Sequence, residues 1–254
     1  MFERGVILPD IHTPLHDEES IEVVLNAIKD YKPHRLYQLG DFVDYNSLSR
    51  FDLHYPEESV TLEKELDAGR TMLERIEKAC PSYCRKFLIG GNHEDRWHPI
   101  RAKHKFELPY WVSVTMDPLK NSWGEELDLT KRGWEWCEYG KWFEWGKLLM
   151  THGWAAGQTS CVDMWKRFPG KNVIFGHTHK RLILTRMDEK QDPIEIESIG
   201  TLSRFDLSYM RGKPPFDWVR GFNTILMRKN GLFDKKFNHI INGRCVVEGK
   251  EYNA

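Results

Sequence analysis

Three short apolar runs, each broken by glycine or proline and each followed closely by a carboxylate or amide, constrain the fold of this chain more than any other feature. Gly5-Val6-Ile7-Leu8 stops at Pro9 ahead of Asp10. Arg35-Leu36-Tyr37-Gln38-Leu39 stops at Gly40 ahead of Asp41, and Arg85-Lys86-Phe87-Leu88-Ile89 stops at Gly90-Gly91 ahead of Asn92. Runs of this length bounded by turn residues predict buried strands. Between them the period changes. Asp17 to Asp30 sets Ile21, Val24, Leu25 and Ile28 at helical spacing behind an acidic start, and Glu57 to Ala79 sets Leu62, Leu66, Met72, Leu73 and Ile76 on one side, with Pro81 as the stop. Strand–helix–strand–helix–strand order predicts a parallel sheet whose strands end on one rim, where ligand sites of such sheets lie.

The rest of the chain reads differently. Residues 96–122 are mixed, helical or irregular. From Trp134 to Trp154 the pattern alternates as strands, with a turn at Tyr139-Gly140-Lys141. Val173-Ile174-Phe175 is a further buried strand ending at Gly176. Arg181–Arg186, Ile194–Ile199, Asn223–Arg228 and Leu232–Ile241 are predicted strands, and Lys229-Asn230-Gly231 is a hairpin signal, because Asn-Gly tolerates positive φ. No repeat or linker interrupts the 254 residues, which predicts a single domain over 1–254, with a Trp-rich insertion at 95–150 and a lid or substrate loop at 202–222.

Composition excludes several classes. Hydrophobic residues at 40% and charged residues at 30% supply a core and rule out a disordered chain. No apolar run approaches the ~20 residues of a membrane helix. The first residues, Met1-Phe2-Glu3-Arg4-Gly5, lack a basic segment followed by an apolar stretch, which argues against a secretory signal. Five scattered cysteines form no disulfide framework, so a cytoplasmic location is expected. Two excesses remain: 11 histidines, and 10 tryptophans of which seven lie between Trp97 and Trp145.

Five clusters placed just after predicted strands account for much of the histidine excess. They are Asp10-Ile11-His12, Gly40-Asp41-Phe42-Val43-Asp44, Gly91-Asn92-His93-Glu94, Thr151-His152-Gly153 and Gly176-His177-Thr178-His179. Carboxylate oxygen and imidazole nitrogen are donors for divalent ions such as manganese, iron and zinc. A spacing of two in Asp10-x-His12 and His177-x-His179 puts both side chains on one side of an extended segment. No cysteine adjoins any cluster, which argues against a thiolate zinc site. Each motif alone is weak; all five in order, each at a strand end, are not expected by chance.

This set resembles the calcineurin-like metallophosphoesterase superfamily, whose pattern is Asp-x-His, Gly-Asp-x-x-Asp, Gly-Asn-His-Glu/Asp, a later His, and Gly-His-x-His. The match runs from residue 10 to residue 179 and is complete. The resemblance implies an α/β fold, a four-layer α/β/β/α sandwich with two mixed sheets, and a two-metal phosphoester hydrolase. It implies that Asp10, His12 and His179 hold one cation, that Asn92, His152 and His177 hold the other, and that Asp41 bridges them so that a shared hydroxide attacks phosphorus in line. Manganese is the expected ion, and iron, zinc and nickel suit the same donors. It further implies His93 as general acid, with Asp44 orienting that imidazole. Glu94 is expected to be structural.

Protein Ser/Thr phosphatases of the superfamily carry Arg directly after the second Asp, where this chain has Tyr45-Asn46. That difference argues against the protein phosphatase branch and leaves Arg96 to contact phosphate. From Lys166 onward, 17 Lys and Arg face 10 Asp and Glu. Arg204, Arg211 and Arg220 stand among Phe205, Tyr209, Phe216, Trp218 and Phe222, an arginine–aromatic mixture that suits a nucleotide or nucleic-acid phosphoester. The alternatives are a phosphomonoesterase acting on a protein or small molecule, and a non-catalytic binding scaffold. A scaffold of this kind would be expected to have lost ligands, and here the set is complete.

Overall fold

The computed structural model describes residues 2–49, 60–98, 122–206 and 216–254. Strand β1 (Glu3–Leu8) leads through helix α1 (Glu18–Tyr31) to β2 (Arg35–Gln38), and helix α2 (Leu62–Ala79) leads to β3 (Arg85–Ile89). The expected order is present, with helix ends set by local chemistry. Asp17 accepts from the Ser20 amide as N-cap of α1, and Thr61 does the same for Lys64 at α2. The expected start of α2 at Glu57 lies outside the described residues, and the helix observed begins at Leu62.

After β3 the chain forms β4 (Trp134–Cys137), β5 (Trp142–Trp145), β6 (Leu148–Thr151), helix α3 (Ser160–Arg167), β7 (Asn172–Phe175), β8 (Arg181–Met187), β9 (Pro193–Ile199), β10 (Gly221–Met227), β11 (Phe233–His239), β12 (Arg244–Val247) and β13 (Lys250–Asn253). One sheet has the order β11-β10-β1-β2-β3-β4 and the other β5-β6-β7-β9-β8. Both are mixed: β1, β2, β3 and β4 are parallel neighbours, as are β6, β7 and β9, and antiparallel strands complete each sheet. The turn at Tyr139-Gly140-Lys141 does not close a hairpin. It passes the chain from β4 in one sheet to β5 in the other. The Lys229-Asn230-Gly231 hairpin is present, joining β10 to β11.

Three apolar layers hold four structural layers together. Ile21, Val24 and Ile28 of α1 and Leu66, Leu73 and Ile76 of α2 pack on Val6, Leu8, Leu36 and Leu88 of the first sheet. Ile7, Tyr37 and Phe87 on its other face meet Trp145, Leu148, Met150 and Ile174 of the second sheet. Cys161 and Met164 of α3 cover the far side, on Leu149, Val173 and Ile196. Alternate residues of β1 therefore feed different cores, as a strand period of two requires. The tryptophan excess is largely packing: Trp97, Trp123 and Trp134 are buried in the helix layer and Trp145 between the sheets, while Trp142 is 43% exposed. Each fully buried ring of this size contributes about 2–3 kcal/mol of transfer free energy. No helix among the described residues is long and apolar enough to cross a membrane.

Candidate metal centre

Five parallel strands, β1, β2 and β3 of one sheet and β6 and β7 of the other, end at one rim, and the loops that leave them carry every predicted ligand. The loops must turn sharply to do so. His12, Asp41, His177 and His179 have φ of 55, 47, 67 and 59°, in the left-handed region that costs a non-glycine residue about 1–3 kcal/mol. Gly40, with φ of 100°, has no such cost, and a Cβ there would lie 2.7 Å from the backbone nitrogen of Gly91 and 2.7 Å from His152 Nδ1. A Cβ on Gly91 would run into the Asp41 carboxylate. Two strand-end glycines thus let the Asp41 and Asn92 loops touch.

Buried acids hold these loops from behind. Glu94 accepts from four backbone amides: Asp41 (2.9 Å), Phe42 (3.0 Å), Val43 (3.0 Å) and Gly91 (2.7 Å). This is the structural role expected for it. Glu65 accepts from the amides of Asn46 (2.6 Å) and Ser47 (3.3 Å) and from the Ser47 hydroxyl. Sequence reasoning missed Glu65. The available signal was an acid inside the apolar stripe Leu62, Leu66 of α2.

The candidate ligand atoms converge in two groups, Asp10 with His12 and His179, and Asp41 with His152 and His177, and a third group, His12 with Asp44 and His93, adjoins them. His179 Nε2 is 3.1 Å from Asp10 Oδ2 and 3.1 Å from His12 Nε2. His152 Nε2 is 3.0 Å from Asn92 Oδ1 and 3.4 Å from Asp41 Oδ2. His177 Nδ1 is 2.7 Å from the same Asn92 oxygen. The far nitrogens fix the tautomers. His12 donates through Nδ1 to Asp44 Oδ1 at 2.8 Å, and His152 donates through Nδ1 to the Leu39 carbonyl at 2.9 Å. With those protons outside, the inward Nε2 atoms present bare lone pairs to one another and to oxygens. Lone pairs meeting near 3 Å repel unless a cation or a proton lies between them, so the donor set fits divalent cations.

The same crowding governs protonation. Burial would raise Asp41, but His152, His93 and His12 outweigh it and hold the carboxyl well below its usual range. Burial lowers His152, yet Asp41 and Asp10 push it up to about 9. Burial and the neighbouring His152 push His177 down to about 4.

His93 lies beside these groups. Its amide donates to Asp41 Oδ1 (2.9 Å) and its Nε2 is 3.9 Å from Asp41 Oδ2. The expected Asp44 partnership is shared between two atoms: His93 Nδ1 is 2.6 Å from the Asp44 main-chain oxygen and 3.3 Å from Oδ1. The shorter partner of the Asp44 carboxylate is His12, a contact the sequence did not indicate. Burial lowers His93, but Asp41 and Asp44 push it up to about 9 against the opposing charge of Arg96. Arg96 donates to the carbonyls of Asp44 (2.9 Å) and Tyr45 (3.2 Å) and reaches His93 Nε2 at 3.1 Å.

The other arginines stand farther out. Arg204 pairs with Asp206 at 2.8 Å. Arg220 pairs with Asp17 at 2.9 Å and lies 4.0 Å over the Phe205 ring. Both border a hollow of about 590 Å³ together with His16, Glu18 and Glu19. Arg211 lies outside the described residues.

A family model of the calcineurin-like phosphoesterases matches residues 5–181. Two curated relatives are the gene 54 proteins of Mycobacterium phages L5 and D29. The first is 25% identical over 288 residues, covering 100% of both chains, and the second 24% over 270 residues, covering 98% of both. Among solved structures, Yfce, a phosphoesterase from E. coli, is similar with 14% identity and a TM-score of 0.42, over 92% of this chain and 98% of that one. Vps29 from Entamoeba histolytica is similar with 10% identity and a TM-score of 0.46, over 99% of both chains.

Proposed function

This chain belongs to the calcineurin-like phosphoesterase family and is a phosphoester hydrolase, and from that premise we propose that it cleaves a nucleotide or nucleic-acid phosphoester with the help of two divalent cations. The observation that carries this reading is the convergence of Asp10, His12, His179, Asp41, Asn92, His152 and His177 at one rim. Asp10, His12 and His179 would hold one cation, Asn92, His152 and His177 the other, and Asp41 both. Bound there, manganese or a similar ion neutralises phosphate charge and acidifies water.

The chain's own groups do the rest. His93 presents Nε2 toward Asp41 and, protonated, delivers that proton to the leaving oxygen. The Asp44 carbonyl fixes the opposite nitrogen and so aims the ring. Arg96 donates to Nε2 only while that nitrogen is bare. A protonated His93 therefore releases this arm of Arg96 for the phosphate, the role open to it where the chain lacks an arginine after Asp44. The reducing cytoplasm is the compartment that suits five unbridged cysteines.

A second reading, a small phosphomonoester as substrate, draws on one observation. Asp17 and Asp206 neutralise Arg220 and Arg204, and Glu18 and Glu19 share that rim, which disfavours a long polyanion there. A panel with Mn²⁺ decides between them: bis-nitrophenyl phosphate, nitrophenyl phosphate, nucleotides, and single-stranded and duplex DNA. Hydrolysis of the diester, nucleotides or DNA is expected. Activity on nitrophenyl phosphate alone would favour the second reading, and no hydrolysis of any would refute both.

A further inference from the structure

The imidazoles of the centre are not equally supported. His12 backs its inward nitrogen with a carboxylate, Asp44, and His152 backs its own with the Leu39 carbonyl. Such partners fix a ligand ring and raise its basicity, and removing one typically costs 10–100-fold in metal affinity. The outer nitrogen of His179, Nδ1, has no oxygen partner. The ring's Nε2 faces Asp10 and His12, while its Nδ1 is buried with no hydrogen-bond acceptor, and at 6% exposure the residue is closed to water. With Nε2 turned to a cation, the ring proton sits on Nδ1, and a buried N–H without an acceptor is costly.

The ring against His179 is the indole of Trp218, with centroids 4.2 Å apart and planes at 77°. That edge-to-face geometry suits an N–H directed at a π system, a weak but real acceptor. The backbone locks the pair: the Val219 amide donates to the His179 carbonyl at 3.0 Å, and Lys180 and Trp218 form an antiparallel bridge. Phe205 abuts the indole at 6.1 Å and itself carries Arg220 on its face. A ring at φ of 59° whose outer nitrogen has no oxygen partner needs such packing to stay aimed.

We propose that Trp218 is a positioning residue of the metal centre: its indole takes the place of an oxygen partner on the outer nitrogen of His179 and so supports the site that Asp10, His12 and His179 would form for a cation. A π face pulls less on the imidazole N–H than a carboxylate does, so His179 is the poorer electron donor. The inference rests on the two-cation reading above.

The test titrates Mn²⁺ into metal-stripped full-length protein by calorimetry, with bound ion counted by electron paramagnetic resonance. Wild type is expected to bind two ions with unequal affinities. Trp218→Leu should weaken one of the two steps by about 10–100-fold and leave the other unchanged. Trp218→Phe, which keeps a π face, should stay within about threefold of wild type. Two wild-type affinities in Trp218→Leu would overturn the proposal. Fewer than two ions bound to wild type at saturation would instead refute the two-cation reading, whatever Trp218 does. Should Trp218→Leu not fold, tryptophan fluorescence decides. A paramagnetic ion entering the site that includes His179 should quench emission in wild type, and Trp218→Phe should lose most of that step. An unchanged quenching step in Trp218→Phe would overturn the proposal.

Discussion

The two flanks of the proposed metal centre are built on different principles. Asp10, His12 and His179 are nearly closed to solvent, at 0, 2 and 6% exposure, and this flank brings a carboxylate of its own. On the other flank Asn92 and His177 are half-buried and the group has no carboxylate apart from Asp41. A buried, charged flank gains Coulomb energy on binding a cation and suffers most without one. A more open flank with no carboxylate of its own leaves the positive charge of its cation for the substrate. Asp41 joins the two, and this sets the order of effects expected on breaking them.

Asp41→Asn removes the shared carboxylate and should produce the largest loss. Both cations should be lost together, and activity should fall by more than about a thousandfold, beyond the 10–100-fold of an outer partner. Metal analysis alongside turnover checks this, and retention of two ions would break the idea that one residue serves both flanks. His93→Asn should leave both ions in place and slow turnover by about 10²–10⁴, the scale of general-acid catalysis. Undiminished turnover on a substrate with a poor leaving group would take His93 out of the proton transfer.

Glu94→Gln tests the scaffold shared by the flanks. The amide nitrogen it introduces cannot accept, so two of the four backbone donors on Glu94 lose their acceptor. A destabilisation of about 2–4 kcal/mol in urea unfolding is expected, together with weaker Mn²⁺ binding, since the Asp41 and Gly91 loops are what Glu94 draws together. Wild-type stability in this variant would mean that the loops hold themselves.

The candidate ligands were legible in the sequence because each sits within four residues of a strand end: local pattern put Asp10, Asp41 and Asn92 on one rim, and the family resemblance joined His12, His152, His177 and His179 to them. The alternation of strands and helices likewise predicted the parallel β1-β2-β3 part of the first sheet, though not its neighbours β4, β10 and β11. What was not legible depends on contacts between distant segments. The turn at Tyr139-Gly140-Lys141 is plain as a turn, yet nothing local says that β4 and β5 belong to different sheets, because strand pairing is decided by partners far along the chain. Helix α3 carries too few apolar residues in eight positions to announce itself, and β12–β13 turns on Glu248-Gly249, both at positive φ, without the Asn-Gly signal. The contact of Asp44 with His12 spans 32 residues, and that of Glu65 with Asn46 spans 19. Such pairs are tertiary facts.

The smallest effect concerns Glu65, which supports the turn after Asp44 and so, indirectly, the ring of His12. Burial pushes its carboxyl up to about 7, although the Ser47 hydroxyl and the amides of Asn46 and Ser47 pull the other way. The sign follows from proton uptake. The unfolded chain releases this proton near the ordinary glutamate value, whereas the folded chain keeps it until about pH 7. The folded state therefore binds more protons inside that window, and stability falls as pH rises through it and levels off above. The contribution should be about 1–2 kcal/mol between pH 5 and pH 7. Glu65→Gln has no proton to lose, so the stability difference between wild type and variant should drift in favour of the variant across the window and then hold constant. Urea unfolding of both proteins at pH 5, 6, 7 and 8 measures this. Parallel curves would mean that Glu65 is ionised throughout and that its charge is already compensated by the three donors it accepts from. The closed flank would then tolerate a buried charge at its back as well as at its ligands.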